Sequence, residues 1–308
     1  MADFELVTDK LQFPEGPVAT SDGNVIVVEI QRGTLSEVDG RTGDIRVLGD
    51  CGGGPNGAAV GPQGHVYVCN NGGFEWHDLN GMTAPGHQPA NYTGGRIQRV
   101  DPDSGEVVDV YTSCDGHPLK GPNDIVFDQH GGFWFTDLGK TRAREMDLGG
   151  LYYGRADGSA VTEVVHPLVQ ANGVGLSPDG SRVYVAETGP GRVWAWDVTG
   201  PGEVDRSGPG PGGAHLLWGF DGFQLLDSMA VDSAGNVCVA TLITGCISVI
   251  SPEGKLVEQV AVPEHDVFVT NICFGGEDLR TAYVTSSGWG RLYRTTWPVP
   301  GLALAHSR

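Results

Sequence analysis

Ala171-Asn-Gly-Val-Gly-Leu-Ser-Pro-Asp-Gly180, running on to Val183-Tyr-Val185, sets a pattern that the chain repeats. A small residue and a polar one open it, a Pro-Asp-Gly turn follows, and an apolar stretch of β-branched and aromatic residues comes next. Five other segments open in the same way: Pro14-Glu15-Gly16, Pro55-Asn56-Gly57, Pro122-Asn123-Asp124, Leu226-Asp227-Ser228 and Thr270-Asn271-Ile272. Their polar residues lie 41, 67, 49, 55 and 44 positions apart in chain order, the spacing of an array of supersecondary units. A glycine falls eight positions after the first five (Gly23, Gly64, Gly131, Gly180, Gly235), whereas the sixth repeat has Leu279 there. The stretches that follow, such as Val25-Ile-Val-Val28, Phe133-Trp-Phe-Thr136 and Ala282-Tyr-Val-Thr285, have the composition of strands. Third strands such as Arg192-Val-Trp-Ala-Trp196 and fourth strands such as Glu106-Val-Val-Asp-Val110 complete the units. The pattern predicts an all-β chain: a six-bladed β-propeller with four-stranded antiparallel blades, one domain over residues 1–308. The sixth repeat stops soon after its third strand, Arg291-Leu-Tyr-Arg-Thr-Thr296, so the N-terminal strand Phe4-Glu-Leu-Val-Thr8 is expected to close the last blade.

If each repeat begins on its innermost strand, the six polar residues share one level of a central channel. They are Glu15, Asn56, Asn123, Asn172, Asp227 and Asn271. Carboxylates and amides are costly to bury uncompensated, and a bound cation resolves that cost. All six offer oxygen and none is His or Cys, which favours a hard divalent ion, Ca²⁺ first, with Mg²⁺, Mn²⁺ and Zn²⁺ as alternatives. The plainer explanation, that they only cap strand starts and make turns, does not account for one polar phase in all six repeats, nor for Glu15, a poor turn former. A second set lies fourteen positions on: Glu29, Asn70, Asp137, Ala186 with Glu187 beside it, Thr241 and Thr285. These are expected either to orient ligands and substrate around the ring or to be ordinary polar strand ends.

Composition narrows the partners. Acidic residues number 38 against 19 Lys and Arg, for a net charge of −19, which repels nucleic acid and anionic membrane surfaces. The 49 glycines are about twice the usual share of roughly 7%, as a turn-rich β protein requires. Apolar runs such as Val25 to Val28 are far shorter than the ~20 residues of a membrane span, and the first residues show no secretory pattern, so a cytoplasmic protein is expected. Six cysteines without a C-x-x-C pair read as reduced, mostly buried thiols. Two G-x-G-x-x-G matches, at Gly52 and Gly208, neither follow a strand nor open a helix and are not dinucleotide sites.

Taken in order, Phe13-Pro-Glu-Gly-Pro17, Pro122-Asn-Asp124 running on to Phe133-Trp-Phe-Thr-Asp137, Asn172-Gly-Val-Gly-Leu-Ser-Pro-Asp-Gly180, Leu226-Asp-Ser-Met-Ala-Val-Asp232 and Phe274-Gly-Gly276 resemble the SMP-30/gluconolactonase/luciferin-regenerating-enzyme family over essentially the whole chain. The resemblance implies a six-bladed propeller with one catalytic divalent metal in its channel and hydrolysis of sugar lactones or related esters. It places metal ligands on Glu15, Asn172 and Asp227, and a further ligand or substrate-binding residue on Asn123. It departs at Gly121, where mammalian-type members carry a sugar-binding Arg.

The expected reaction is metal-assisted opening of a small-molecule lactone or ester, with the cation polarising the carbonyl and Asp227 as base or nucleophile. Asn123, Asn56, Asn271, Asp137 and Trp76 are expected to contact substrate. Residues 71–95 interrupt the second repeat with Gly, Pro, His and aromatic residues (Phe74, Trp76, Tyr92), and are expected to form a wall or lid over the pocket. Two other readings keep the same ring: phosphotriester hydrolysis by the same metal, and a non-enzymatic binding propeller with a structural ion.

Overall fold

The computed structural model describes residues 3–307. Its six sheets of four or five strands are the predicted blades, and two two-stranded sheets lie beside them. Blade 1 runs outward from Pro14–Ala19 through Val25–Glu29 and Thr34–Val38 to Ile45–Asp50. Blades 2, 3 and 5 repeat that order from inner strands Pro55–Val60, Pro122–Phe127 and Leu226–Val231. Blade 4 starts at Ala171–Leu176 and takes His215–Gly219 as its fourth strand, with the short Glu203–Val204 paired to the end of its third. Blade 6 combines Val269–Gly275, Thr281–Ser286 and Arg291–Thr296 with Glu5–Thr8 from the other end of the chain. The closing strand pairs antiparallel, Glu5 opposite Arg294 and Leu6 opposite Tyr293, and the Arg294 guanidinium grips the Glu5 carboxylate at 2.6 and 2.8 Å.

Second strands such as Val25–Glu29 and Val237–Thr241 are buried along their whole length, because each is covered by neighbouring blades on both faces, which explains their unbroken apolar runs. The core is therefore a set of layers between blades. Trp134 and Val165 of blade 3 pack on Val183, Trp194 and Trp196 of blade 4, and Ala240 and Ile247 of blade 5 on Val284 and Tyr293 of blade 6. Turn glycines 23, 64, 131, 180 and 235 all have φ between 69° and 87°. Leu279 adopts φ 55° at the sixth turn, so the geometry persists where the glycine does not, at the strain cost of a side chain in the left-handed region. Five of the six free cysteines are buried and Cys273 is half-buried; burial pushes the Cys51 thiol up to about 12, consistent with inert thiols. No helix among the described residues is long and apolar enough to cross a membrane.

Two segments outside the repeats close the channel. Residues 71–95 form a hairpin, Trp76–Leu79 against Met82–Pro85, at the end where the inner strands begin. At the other end, residues 301–306 cross from blade 5 toward blade 3: Leu302 N–H donates to Val231 O at 3.1 Å, and the His306 ring lies 5.3 Å from Phe127. Behind them a cavity of about 620 Å³ reaches inward to Asp124 and Asn271.

Candidate metal centre

The inner strands of adjacent blades pack around the channel as a closed ring, which brings Glu15, Asn56, Asn123, Asn172, Asp227 and Asn271 to one level. Backbones approach so closely there that the next residue has little room. A Cβ on Gly16 would lie 2.6 Å from Ala58 N, on Gly57 2.4 Å from Asn123 O, and on Gly173 2.7 Å from Asp227 O. Blade 3 has Asp124 at this position, and its carboxylate accepts the backbone N–H of Val174 from blade 4 at 3.1 Å.

The six ring residues are not equivalent. Asn271 Nδ2 donates to Glu15 Oε2 at 2.7 Å, and its own Oδ1 accepts the N–H of Ile272 at 2.7 Å. Asn56 Nδ2 donates to Asn123 O at 3.3 Å, while its Oδ1 accepts from Asn71 Nδ2 at 3.1 Å. Both amides are thus occupied in aligning neighbours. Among the ring residues three buried oxygens are left without any hydrogen-bond partner: Glu15 Oε1, Asn123 Oδ1 and Asn172 Oδ1. Beside them Asp227 accepts the N–H of Ser228 at 3.1 Å and interacts with the Asn172 amide. Each orphaned acceptor costs on the order of 1–3 kcal/mol, and three at one level amount to a strong demand for an electrophile. Glu15, Asn123, Asn172 and Asp227 offer two carboxylates and two neutral amide oxygens, a set that suits a hard divalent cation. Half of these donors are amides, which is why no group of three or more His, Cys, Asp or Glu stands out among the described residues.

Electrostatics in the polypeptide alone point the same way. Burial, then the charges of Asp227 and Asp124, hold the Glu15 carboxyl well above its usual range. Burial pushes Asp227 up to about 8 and Asp124 up to about 7. Three carboxylates close together in one channel resist ionising together, and a cation would relieve all three.

Four of the second set tie down the backbone that leads into the ring. Glu29, Asn70, Asp137 and Glu187 sit opposite the residues that open their inner strands, Pro14, Pro55, Pro122 and Ala171. Each accepts backbone N–H groups from the loop entering that strand. Glu29 takes Gln12 at 2.9 Å, Asn70 takes Gly54 at 3.0 Å, and Glu187 takes Val169 at 2.6 Å. Asp137 takes Lys120, Gly121 and Gly139 at 2.8, 2.7 and 2.8 Å. These side chains fix where the ring residues begin; Asp137, expected at the substrate, has both oxygens committed to backbone. Gly121 lies in the same loop, where a Cβ would sit 2.5 Å from Gly139 O, so this backbone has no space for an arginine.

Trp76 packs beside the residues that lead into the ring. Its ring is 5.1 Å from Phe13, which precedes Pro14-Glu15, and 6.1 Å from Phe74; Phe13 also meets Phe268 at 5.7 Å. The hairpin spans several blades, since Thr83 N–H donates to Gly288 O of blade 6 at 2.9 Å and Gln88 N–H to Thr141 O of blade 3 at 2.9 Å. Sequence reading gave no role to Asp124, although an acid where three repeats have glycine was a usable signal, nor to Lys140, which carries no local one.

The fold and an oxygen-lined channel define a propeller built around a polar ring, and comparison with known proteins places it. The chain matches the SMP-30/gluconolactonase/LRE-like region over residues 13–288 and belongs to that family. It is 30% identical over 254 residues to Lactonase drp35 of Staphylococcus saprophyticus, covering 82% of this chain and 70% of that one. Among solved structures, a gluconolactonase of Xanthomonas campestris superposes with a TM-score of 0.73 at 21% identity, covering 97% of this chain and 90% of that one. Regucalcin, a calcium-binding protein of Agrobacterium tumefaciens, gives 0.76 at 16% identity, covering 100% and 98%.

Proposed function

We propose that this protein is a divalent-metal-dependent hydrolase that opens a lactone or related ester at the ring. The observation that carries the reading is the trio of partnerless buried oxygens, Glu15 Oε1, Asn123 Oδ1 and Asn172 Oδ1, beside the Asp227 carboxylate. The lactonase and gluconolactonase relatives suggest the substrate class, and the calcium-binding relative favours Ca²⁺ among the hard ions.

Glu15, Asn123, Asn172 and Asp227 would hold the cation. When bound, it supplies Lewis-acid polarisation of the carbonyl and stabilisation of the developing oxyanion. Asp227 takes a proton from water as the water oxygen bonds to the carbonyl carbon. When the ring C–O bond breaks, the same carboxyl returns that proton to the departing alkoxide. Glu15 anchors, oriented by Asn271 through the 2.7 Å hydrogen bond. Asn123 and Asn172 keep the site's net charge low enough for a substrate oxygen to approach. Trp76 and Phe13, packed together at 5.1 Å, would offer the substrate an apolar face beside the ring.

The test is kinetic. Purified protein with Ca²⁺ is assayed against a lactone panel and a phosphotriester panel, beside Asp227→Asn and a chelated sample. Lactone turnover that falls at least a hundredfold in Asp227→Asn and vanishes on chelation supports the reading. Turnover of phosphotriesters alone, or lactone turnover indifferent to Asp227 and chelator, overturns it.

A further inference from the structure

The geometry points to Lys140 as a positioning residue that locks the base of the 71–95 insert over the channel mouth and thereby sets substrate affinity; this rests on the hydrolase reading above.

Lys140 is 2% exposed, among the largest fully buried side chains of the molecule. It follows the second strand of blade 3, yet its ammonium reaches into the insert of blade 2, where Nζ donates to Gly73 O at 2.6 Å. The same ammonium lies 4.2 Å from the centre of the Phe74 ring and 5.6 Å from that of Tyr92. A desolvated cation over aromatic faces is held strongly, and a charge-assisted bond to a carbonyl is about twice as strong as a neutral one.

What it holds is the hinge of the insert. Gly72 and Gly73 have φ of 79° and 94°, and neither has a side chain with which to fix itself. Immediately before them Asn71 donates to ring residue Asn56, and Gly73 N–H donates back to Asn71 Oδ1 at 2.7 Å. Immediately after them come Phe74 and Trp76. Lys140 therefore sits at the point that decides both whether Asn71 meets the ring and where Trp76 stands relative to Phe13. Tyr92 seals the other side, its hydroxyl donating to Lys120 O at 2.6 Å.

Charge is tuned as well. Burial lowers the Lys140 ammonium to about 7, against the opposing pull of Asp137 and Asp147. These two carboxylates, the Tyr92 phenol, Arg142 paired to Asp147 at 2.9 Å and Lys120 are the titratable and charged groups around it. The clamp is at full strength when Lys140 is protonated, and it weakens as pH rises through neutrality.

The variants are Lys140→Met, which keeps bulk against Phe74 and Tyr92 without charge, and Lys140→Arg, which keeps charge at every accessible pH. With Ca²⁺ saturating, Lys140→Met should raise KM for the lactone about tenfold, the scale of one charge-assisted bond, with kcat and Ca²⁺ affinity unchanged. Wild-type KM should rise between about pH 6 and 8, and that rise should be absent from Lys140→Met and Lys140→Arg. Amide hydrogen exchange, corrected for intrinsic rates, reads the lock without any substrate: residues 72–92 should lose protection in Lys140→Met, and in wild type above neutral pH, while the blade strands keep theirs. Unchanged protection of residues 72–92 in both comparisons, or an unchanged KM in an active Lys140→Met enzyme, overturns the proposal. Absence of lactone turnover in wild type overturns the hydrolase reading instead, and the exchange experiment still decides the lock.

Discussion

Asp137 separates a substrate-binding role from a positioning one. Its two oxygens serve three backbone N–H groups: Oδ2 takes Lys120, and Oδ1 takes both Gly121 and Gly139. In Asp137→Asn one oxygen becomes an NH₂ group. With the amide oxygen at the Oδ1 position, two of the three bonds survive and the new donor faces the N–H of Lys120, leaving at least one buried N–H unmet. One unsatisfied buried donor costs about 1–3 kcal/mol. Unfolding entropy of about 2.1 cal/mol/K per residue, over this chain, makes 1 kcal/mol worth roughly 1.5 °C. Asp137→Asn should therefore melt about 2–5 °C below wild type, and Asp137→Ala, which strands all three donors, about 5–14 °C below. The assay is calorimetry at pH 7 with saturating Ca²⁺, beside KM and kcat at 25 °C. Because the entry loop carries Pro122 and Asn123, a modest fall in Ca²⁺ affinity should accompany the lower melting temperature. An Asp137→Asn protein with wild-type stability and a raised KM would refute the positioning account and restore the carboxylate to the substrate.

In chelator, stability should fall as pH rises from about 4 to about 8: Asp227 and Asp124 are raised toward about 8 and about 7, so the folded chain binds more protons than the unfolded one across that window. Calorimetry in EDTA reads the decline, and Ca²⁺ should flatten it; a metal-free melting temperature that climbs over the same range would contradict the shared burial of these acids. Removing residues 1–9 takes away the fourth strand of blade 6 and its Glu5–Arg294 pair, and should lower the melting temperature by more than 10 °C and promote aggregation through the exposed edge; light scattering and calorimetry check both. Replacing residues 74–92 with a short Gly-Ser linker should change KM or substrate preference while Ca²⁺ affinity stays within about twofold; unchanged kinetics on every substrate would remove the insert from the pocket.

The blades were legible in sequence because their signals are local: a turn at a fixed offset and a strand buried on both faces. Even Leu279, which breaks the glycine rule, occupies the conformation that the other five repeats predict. The ring was legible as a phase but not as a division of labour. Which amide oxygens stay open and which amides align neighbours depends on bonds such as Asn271 to Glu15 and Asn71 to Asn56, and no spacing encodes these. The second set was legible as a set of positions but not by its contacts, since the partners are backbone N–H groups that every sequence possesses. Lys140 was invisible for a related reason: its aromatic partners lie in another blade's insert.

The seam in blade 6 also has a meaning in time. Glu5–Thr8 is synthesised before every inner strand of the ring, yet its hydrogen-bonding partner, Arg291–Thr296, follows all of them. Until blade 6 is made, five blades can stack side to side while the circle stays open, with two unsealed flanks exposed to solvent and to other nascent chains. Joining strands so far apart in sequence carries a loop-closure entropy that grows only slowly with length, but contacts of this separation form late. The nascent protein should thus pass through a long-lived horseshoe in which blade 5 has delivered Asp227 while blade 6 has not yet brought Asn271 to Glu15, and the oxygen ring should be completed only when the seam closes.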